Sequence, residues 1–235
     1  MRLKALGLSL GLAGMLAAGT AFAAPVTFVF QNPGADAPLG NFTTTSSCIG
    51  IAVTSGDRCA TDQSIGFNFL KSGISLNAKA ISGGNTFALL QDLTPTNSGL
   101  AVLTAGESNS DDQIQIERNE AIVFAFSPLV RVLAIDFNAG ADRNCATPGS
   151  EGPCGNFSLF VDGSAMSSFS GEAKDNMGFN LTGSMFRILH TGPRGSGFTI
   201  GSITVDVAKV PEPATLGLLG LGLAGLGLVR RRRAA

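Results

Sequence analysis

Hydrophobic side chains alternate with polar ones in many short segments between residues 24 and 209. In the clearest segment, Ile114 and Ile116 alternate with glutamine and glutamate, which is typical of a strand with one buried face. The same pattern predicts strands that bury the following sets of side chains: Phe67 and Phe69; Ile74 and Leu76; Ile122, Phe124 and Phe126; Leu133, Ile135 and Phe137; Phe157, Leu159 and Val161; Phe186 and Ile188; Phe198 and Ile200; Ile203, Val205 and Val207.

Turn signals separate these segments, and Asp162-Gly163 directly after Val161 is one of them. Hardly any segment between the two ends of the chain has helical periodicity. Many short strands divided by turns predict an all-β fold, here a single β-sandwich or jelly-roll-like ectodomain over residues 24–209. We expect one domain, because no internal repeat or long linker divides this stretch.

The N-terminus has the three parts of a secretory signal. Arg2 and Lys4 give a positive start, residues 6–18 are apolar, and Ala21 and Ala23 supply the small side chains that a signal peptidase reads. We therefore predict a signal peptide at residues 1–23, cleaved after Ala23, and an exported body.

The C-terminus carries a second membrane signal. Two prolines interrupt residues 210–213, and residues 214–229 then contain no charged side chain. As a helix these 16 residues would be about 24 Å long, slightly short of a bilayer core of about 30 Å. We predict a transmembrane helix at 214–229. It is followed by four arginines that stay on the cytoplasmic side while the body lies outside: Arg230, Arg231, Arg232 and Arg233.

The order of these features resembles the PEP-CTERM sorting domain. The motif residues are Val210, Pro211, Glu212 and Pro213, ahead of a Gly/Leu-rich span and the arginine cluster, so the resemblance covers residues 210–233. It implies recognition by an exosortase, a membrane enzyme that would process the chain at or near Pro-Glu-Pro. It also implies a surface or matrix protein of bacteria that make exopolysaccharide and biofilm, with exopolysaccharide as an expected partner.

Four cysteines lie in the exported body, where an oxidising environment favours disulfides. Four cysteines allow three connectivities. We favour Cys48–Cys59 and Cys145–Cys154, because each pair closes its own short loop, and each would stabilise the fold by about 2–3 kcal/mol. Zinc is disfavoured because neither pair has C-x-x-C spacing and His190 is the only histidine.

Residues 24–209 contain ten Lys and Arg against sixteen Asp and Glu, a net charge near −6. This balance argues against nucleic acid as a partner, because nucleic-acid binding needs a basic face. The near-neutral charge of the whole chain, −1, conceals the acidity of the body.

The residues show no established catalytic motif, neither Gly-x-Ser-x-Gly nor His-Glu-x-x-His. His190 is interpreted as a strand-end histidine that packs or hydrogen-bonds, so we expect no catalysis and no cofactor. Two alternatives stay open. One is a glycan-active hydrolase, which needs only two acids across a cleft. Its acids would come from Glu107, Asp111, Asp112, Glu117 and Glu120.

The other alternative is a module that binds calcium or carbohydrate. Asp111 and Asp112 are weak calcium candidates, since hard oxygen ligands close together on a loop suit this ion. The chain has no Trp and no Tyr, which removes the commonest aromatic platforms for sugar. A carbohydrate site would therefore have to be lined by Asn, Asp and Gln side chains.

Overall fold

The computed structural model describes part of the body, namely residues 24–31, 35–36, 39, 47–48, 51–52, 58–59, 66–81, 87–91, 99–104, 116–117, 119–139, 143–145, 154–193 and 196–208. These residues form strands and turns and contain no helix, so the all-β prediction is confirmed. The strands are β1 Val26–Val29, β2 Ser47–Cys48, β3 Ile51–Ala52, β4 Arg58–Cys59, β5 Phe67–Lys71, β6 Ile74–Ile81, β7 Phe87–Gln91, β8 Leu100–Thr104, β9 Ala121–Ala139, β10 Arg143–Asn144, β11 Asn156–Val161, β12 Phe169–Glu172, β13 Met177–His190 and β14 Phe198–Val207.

Strand β9 organises the sheet. Its first half, residues 121–127, pairs with β6, whereas its second half, residues 130–139, pairs with β14. Strand β13 runs antiparallel along the other side of both halves. The sequence predicted two separate strands here. The structure has one, with Pro128, which has no N–H to donate, at the point where the neighbouring strand changes.

Twelve of the described strands form one open hydrogen-bonded sheet, in the order β12-β11-β13-β9-β14-β8-β7-β4, with β1, β5, β6 and β10 attached beside this path. Strands β2 and β3 pair with each other separately. A sandwich or jelly roll was predicted, and such folds have two sheets. Here hydrogen bonds join the twelve strands into one sheet, because β9 and β13 are long enough to run through both regions of it.

We call these regions the first half-sheet, built on residues 121–127 of β9, and the second half-sheet, built on residues 130–139. Their inner faces meet through phenylalanine rings. Phe30 of the chain after β1 stacks at 6.0 Å from Phe124 in the first half of β9. Phe137 in the second half of β9 lies 4.6 Å from Phe157 of β11. The strands in each pair share no hydrogen bonds, so the rings pack across one common core.

The side chains predicted to face inward do form this core wherever the structure describes them, with few exceptions. Phe67, Phe124, Phe157 and Phe198 are fully buried. Buried aromatic rings remove a large apolar area from water, which is the main stabilising contribution in folding. Val161 and Val207 are only partly buried and pack at the margin of the core. Ile116, one of the pair with the clearest alternation, is buried and bridges to Phe198.

Leu133 was predicted to face inward with Ile135 and Phe137, and this was wrong. Val130 and Val132 are buried, as are Ile135 and Phe137, so the inward positions shift by one residue between 132 and 135. The register with β14 passes from Val132 directly to Ala134, and the register with β13 shifts at the same place. Leu133 is therefore the extra residue of a β-bulge, which leaves its side chain partly exposed.

The structure contains the predicted Cys145–Cys154 disulfide, with the two Cα atoms 5.7 Å apart. It joins the chain after β10, which pairs with the second half of β9, to the chain before β11 in the first half-sheet. Cys48 and Cys59 lie in β2 and β4, but their side chains are outside the described part. The Cys48–Cys59 pairing therefore stays a prediction.

Several predicted features lie outside the described residues. They are the signal peptide with its cleavage at Ala23, the calcium candidates Asp111 and Asp112, the motif at 210–213, the helix at 214–229 and the arginines at 230–233. Within the described ranges, no helix has both the length and the apolar character needed to cross a membrane.

Candidate functional site

His190 ends β13 in a buried polar site. Its side chain is 1% exposed, and Nε2 lies 3.3 Å from Oγ of Ser196. Two glycines leave room for the imidazole ring, because a Cβ atom at Gly155 would collide with Nε2 and one at Gly192 would lie 2.9 Å from Cε1. The site thus joins the end of β13 to the chain just before β11.

The chemistry of this pair differs from that of a catalytic serine. Ser196 Oγ donates its hydrogen to the carbonyl of Pro193 at 2.7 Å, so the hydroxyl accepts from the imidazole. Nδ1 of His190 is buried and has no hydrogen-bond partner among the described residues. A nucleophilic serine needs a base that accepts its proton and a group that orients that base. Burial lowers the pKa of His190 and keeps the ring neutral, as the packing interpretation expects.

A second polar cluster lies on the outer face of the second half-sheet, around Asp136. Gln31 Nε2 donates to Asp136 Oδ2 at 3.3 Å, and the Asn176 backbone N–H donates to Oδ1 at 3.2 Å. Asn138 donates in turn to Gln31. Burial, together with a hydrogen bond from the side chain of Asp175, raises the pKa of Asp136 to about 6. The Asp136 carboxyl is therefore protonated below about that pH.

Gly201 of β14 is needed beneath this cluster. A Cβ atom there would lie 2.9 Å from Asp136 Oδ2 and would also overlap Gln31 and Asn138. No pattern in the sequence marks this site, because its residues come from distant segments of the chain. Across the described ranges, no three or more His, Cys, Asp or Glu side chains are grouped to hold a metal ion.

A third site lies on the outer face of the first half-sheet, where Arg187 of β13 covers Phe160 of β11. The two residues are direct cross-strand neighbours, and the guanidinium carbon lies 4.1 Å from the ring centroid. Nε of Arg187 is buried and has no hydrogen-bond partner among the described residues. Such an arrangement is a cation–π contact, in which the ring attracts the charge without accepting a strong hydrogen bond.

The acids proposed for a hydrolase are only partly described. Glu120 is buried and accepts a hydrogen bond from the backbone N–H of Glu117 at 2.8 Å, an interaction that closes the local turn. Glu117 itself is exposed. Glu107, Asp111 and Asp112 lie outside the described residues, and of the two acids that are described only the Glu120 carboxylate takes part in the turn.

A shallow groove on the same outer face as Arg187 contains amide side chains. It is lined by Asn68 and Asn77 with Ser75, Ser127 and Leu39. Asn77 Nδ2 donates to Asn68 Oδ1 at 2.8 Å, so the two amides partly satisfy each other. Among the described residues, this groove best matches the Asn-lined carbohydrate site that is one of the alternatives from the sequence.

The comparison with known families concerns the other end of the chain. Residues 209–233 match the family described as the PEP-CTERM protein-sorting motif. The chain carries a PEP-CTERM sorting motif. No curated protein and no solved structure matches the chain.

The PEP-CTERM match begins one residue before the predicted segment and ends at the same arginine, Arg233. It includes Pro211, Glu212 and Pro213 and thus confirms the resemblance seen in the sequence. A PEP-CTERM signal implies an exported protein that is anchored in the membrane and then processed by exosortase-type machinery. The last described residue, Ala208, donates its backbone N–H to Leu129 at 3.0 Å. The folded domain therefore continues up to the start of the motif.

Proposed function

We propose that this protein is a surface or extracellular-matrix component that is sorted through its PEP-CTERM motif and has no catalytic activity of its own. The motif at residues 209–233 is the observation that carries the proposal. A signal peptidase would remove residues 1–23, and an exosortase-like enzyme would cut at or near Pro211, Glu212 and Pro213. The β domain would then reach the cell surface or the biofilm matrix, in contact with exopolysaccharide.

The position of the domain supports such processing. Strand β14 ends at Val207, and the motif begins two residues later, at 209. Only this short connection separates the folded domain from the segment to be cut. An enzyme embedded in the membrane would therefore act directly beside the domain, and its product would keep all of β14.

The non-catalytic part of the proposal draws on the His190–Ser196 pair. Its hydroxyl hydrogen is directed to a backbone carbonyl and its imidazole Nδ1 has no orienting acid among the described residues. Both features are unfavourable for nucleophilic catalysis. The sorting tail would instead act as the substrate of another enzyme.

Mass spectrometry of the protein recovered separately from cell envelope and medium tests the sorting proposal. We expect mature fragments that begin after Ala23 and end near Pro211. As a matched control, the double variant Glu212→Ala, Pro213→Ala should keep the tail while the arginines stay unchanged. Tails that are intact through Arg233 in every fraction of the unaltered protein would contradict processing at this motif.

A further inference from the structure

The pocket beside Arg187 has a volume of about 220 Å³ and opens on the outer face of the first half-sheet. Its lining includes Ile81, Val123, Phe160 and Met185, which are apolar, together with Arg187. Ligand pockets for drug-sized molecules usually measure about 300–1,000 Å³. This one is smaller, so it suits a group no larger than a single sugar residue.

Two positively charged side chains, Arg187 and Lys79, lie near the pocket. Arg187 lies opposite Val123 in the register of β13 and β9, and Lys79 lies opposite the same valine in the register of β9 and β6. Among the described residues, no ion pair joins Arg187 to a carboxylate. Two cations thus lie on one cross-strand row, on a body whose overall charge is negative.

The acid closest to Arg187 in this register is Asp162, one turn residue beyond β11, and it is committed elsewhere. Its Oδ1 accepts from the backbone N–H groups of Ser184 at 2.8 Å and Met185 at 2.9 Å, and from the Ser184 hydroxyl. Burial alone would raise the pKa of Asp162, but these hydrogen bonds lower it overall. Its negative charge therefore stabilises the turn, and among the described residues the guanidinium of Arg187 has no acidic partner.

We propose that the pocket bordered by Phe160, Met185 and Arg187 binds the carboxylate of an acidic saccharide, with one uronic acid residue in the pocket. A carboxylate matches the planar fork of a guanidinium and forms short charge-assisted hydrogen bonds with it. The apolar side chains contact the C–H face of the sugar ring. The proposal is independent of how the chain is sorted, because it rests on the β domain alone.

A saccharide fits the lining better than an acidic peptide does. A peptide brings backbone N–H and C=O groups that need partners when they are desolvated. The hydroxyl of Ser164, the only one in the lining, already donates its hydrogen to the carbonyl of Val161. A sugar ring can place its C–H face on Val123 and Met185 while its hydroxyls remain in water.

Isothermal titration calorimetry of the full chain with oligogalacturonate tests the proposal. We expect saturable binding that weakens as salt is raised, and no saturable binding of a neutral dextran of equal length. Arg187→Gln should weaken the binding about tenfold to a hundredfold, because it removes a charge-assisted pair. Lys174→Gln is the matched control: it removes the same charge from an exposed turn and should leave the affinity unchanged.

A second variant guards against misfolding. Ser164→Phe fills the mouth of the pocket from an exposed position and should abolish binding while circular dichroism and Tm stay unchanged. Equal affinity for oligogalacturonate in Arg187→Gln and in the unaltered protein would overturn the proposal, as would the absence of saturable binding. Binding of polyglutamate as tight as that of oligogalacturonate would overturn the saccharide assignment and identify an acidic peptide as the ligand.

Discussion

Two arginines on the outer face of the sheet have opposite environments. Arg131, in the second half-sheet, faces Asp206 of β14 directly across the strands, and its Nε donates to Asp206 Oδ1 at 3.1 Å. A second bond joins the terminal nitrogen of Arg131 to the other carboxylate oxygen, so the pair is bidentate. Arg187, in the first half-sheet, has Phe160 in the corresponding place.

The difference between the two sites is whether the arginine has a carboxylate partner among the described residues. In the second half-sheet, the charge of Arg131 is neutralised by Asp206, which is itself only 5% exposed. In the first half-sheet, the ring of Phe160 holds the guanidinium of Arg187 in position, and no carboxylate among the described residues forms an ion pair with it. Among the described residues, the arginine of the second half-sheet thus has a carboxylate partner and the arginine of the first half-sheet has none.

If both half-sheets belong to one cooperative unit, Phe157→Ala should have the largest effect on stability. The Phe157 ring lies in β11 of the first half-sheet and packs on Phe137 of the second. Removal of a fully buried ring should lower the free energy of unfolding by about 3–5 kcal/mol. Chemical denaturation followed by circular dichroism measures the change.

The expected result is one transition at lower denaturant concentration. Phe160→Ala, which removes a partly exposed ring from the outer face, is the matched control and should cost much less. Two separate transitions in the Phe157 variant would show that the half-sheets unfold independently.

The two arginines themselves give the next largest contrast. Arg131→Met removes the partner of a nearly buried carboxylate, and an unpaired buried charge is strongly destabilising, so Tm should fall by several degrees. Arg187→Met removes a cation whose Nε is buried without a partner, so Tm should stay the same or rise slightly. Differential scanning calorimetry distinguishes the variants. An equal fall in Tm in both variants would contradict the expectation that Arg131 stabilises the fold through an ion pair and Arg187 does not.

The smallest effect concerns two aspartates with opposite shifts. The pKa of Asp136 is about 6 in the fold and 3.8 when unperturbed, so the fold loses stability as pH rises between these values. Because Asp136 is partly exposed, we expect a loss of only about 1 kcal/mol after solvent screening. Asp136→Asn should remove this loss and be more stable than the unaltered protein at pH 7.

Asp162→Asn is the control for this pH dependence. Its carboxylate has a lowered pKa, so its contribution is present at neutral pH and disappears as pH falls. The variant should therefore be less stable than the unaltered protein at pH 7 and similar at low pH. Urea unfolding at pH 4 and pH 7 measures both variants; a stabilisation of Asp136→Asn at pH 4 alone would contradict the assigned shift.

The strands were predictable from the sequence because alternation is a local signal. Phe67 with Phe69 and Phe186 with Ile188 were placed correctly from their spacing alone. The continuity of β9 was not, since Pro128 is expected to end a central strand. The bulge at Leu133 also escaped prediction, because an added residue does not change the hydrophobic composition of a strand.

The outer-face sites were not predictable for a different reason. Phe160 and Arg187 are far apart in the chain and meet only through the register of β11 and β13. Gln31, Asp136 and Asp175 likewise meet only in the folded sheet. The sorting motif, in contrast, was recognised at once, because its residues are contiguous and their order carries the information.

The position of β14 has a mechanical consequence for a chain that is held by its C-terminal end. Strand β14 lies between β9 on one side and β1 with β8 on the other, and the tail leaves from its end. A pull on the tail therefore acts along the strand and loads the hydrogen bonds of both ladders at the same time, in shear. A force on the tail would meet the sheet in the geometry that resists rupture best, without peeling away an edge.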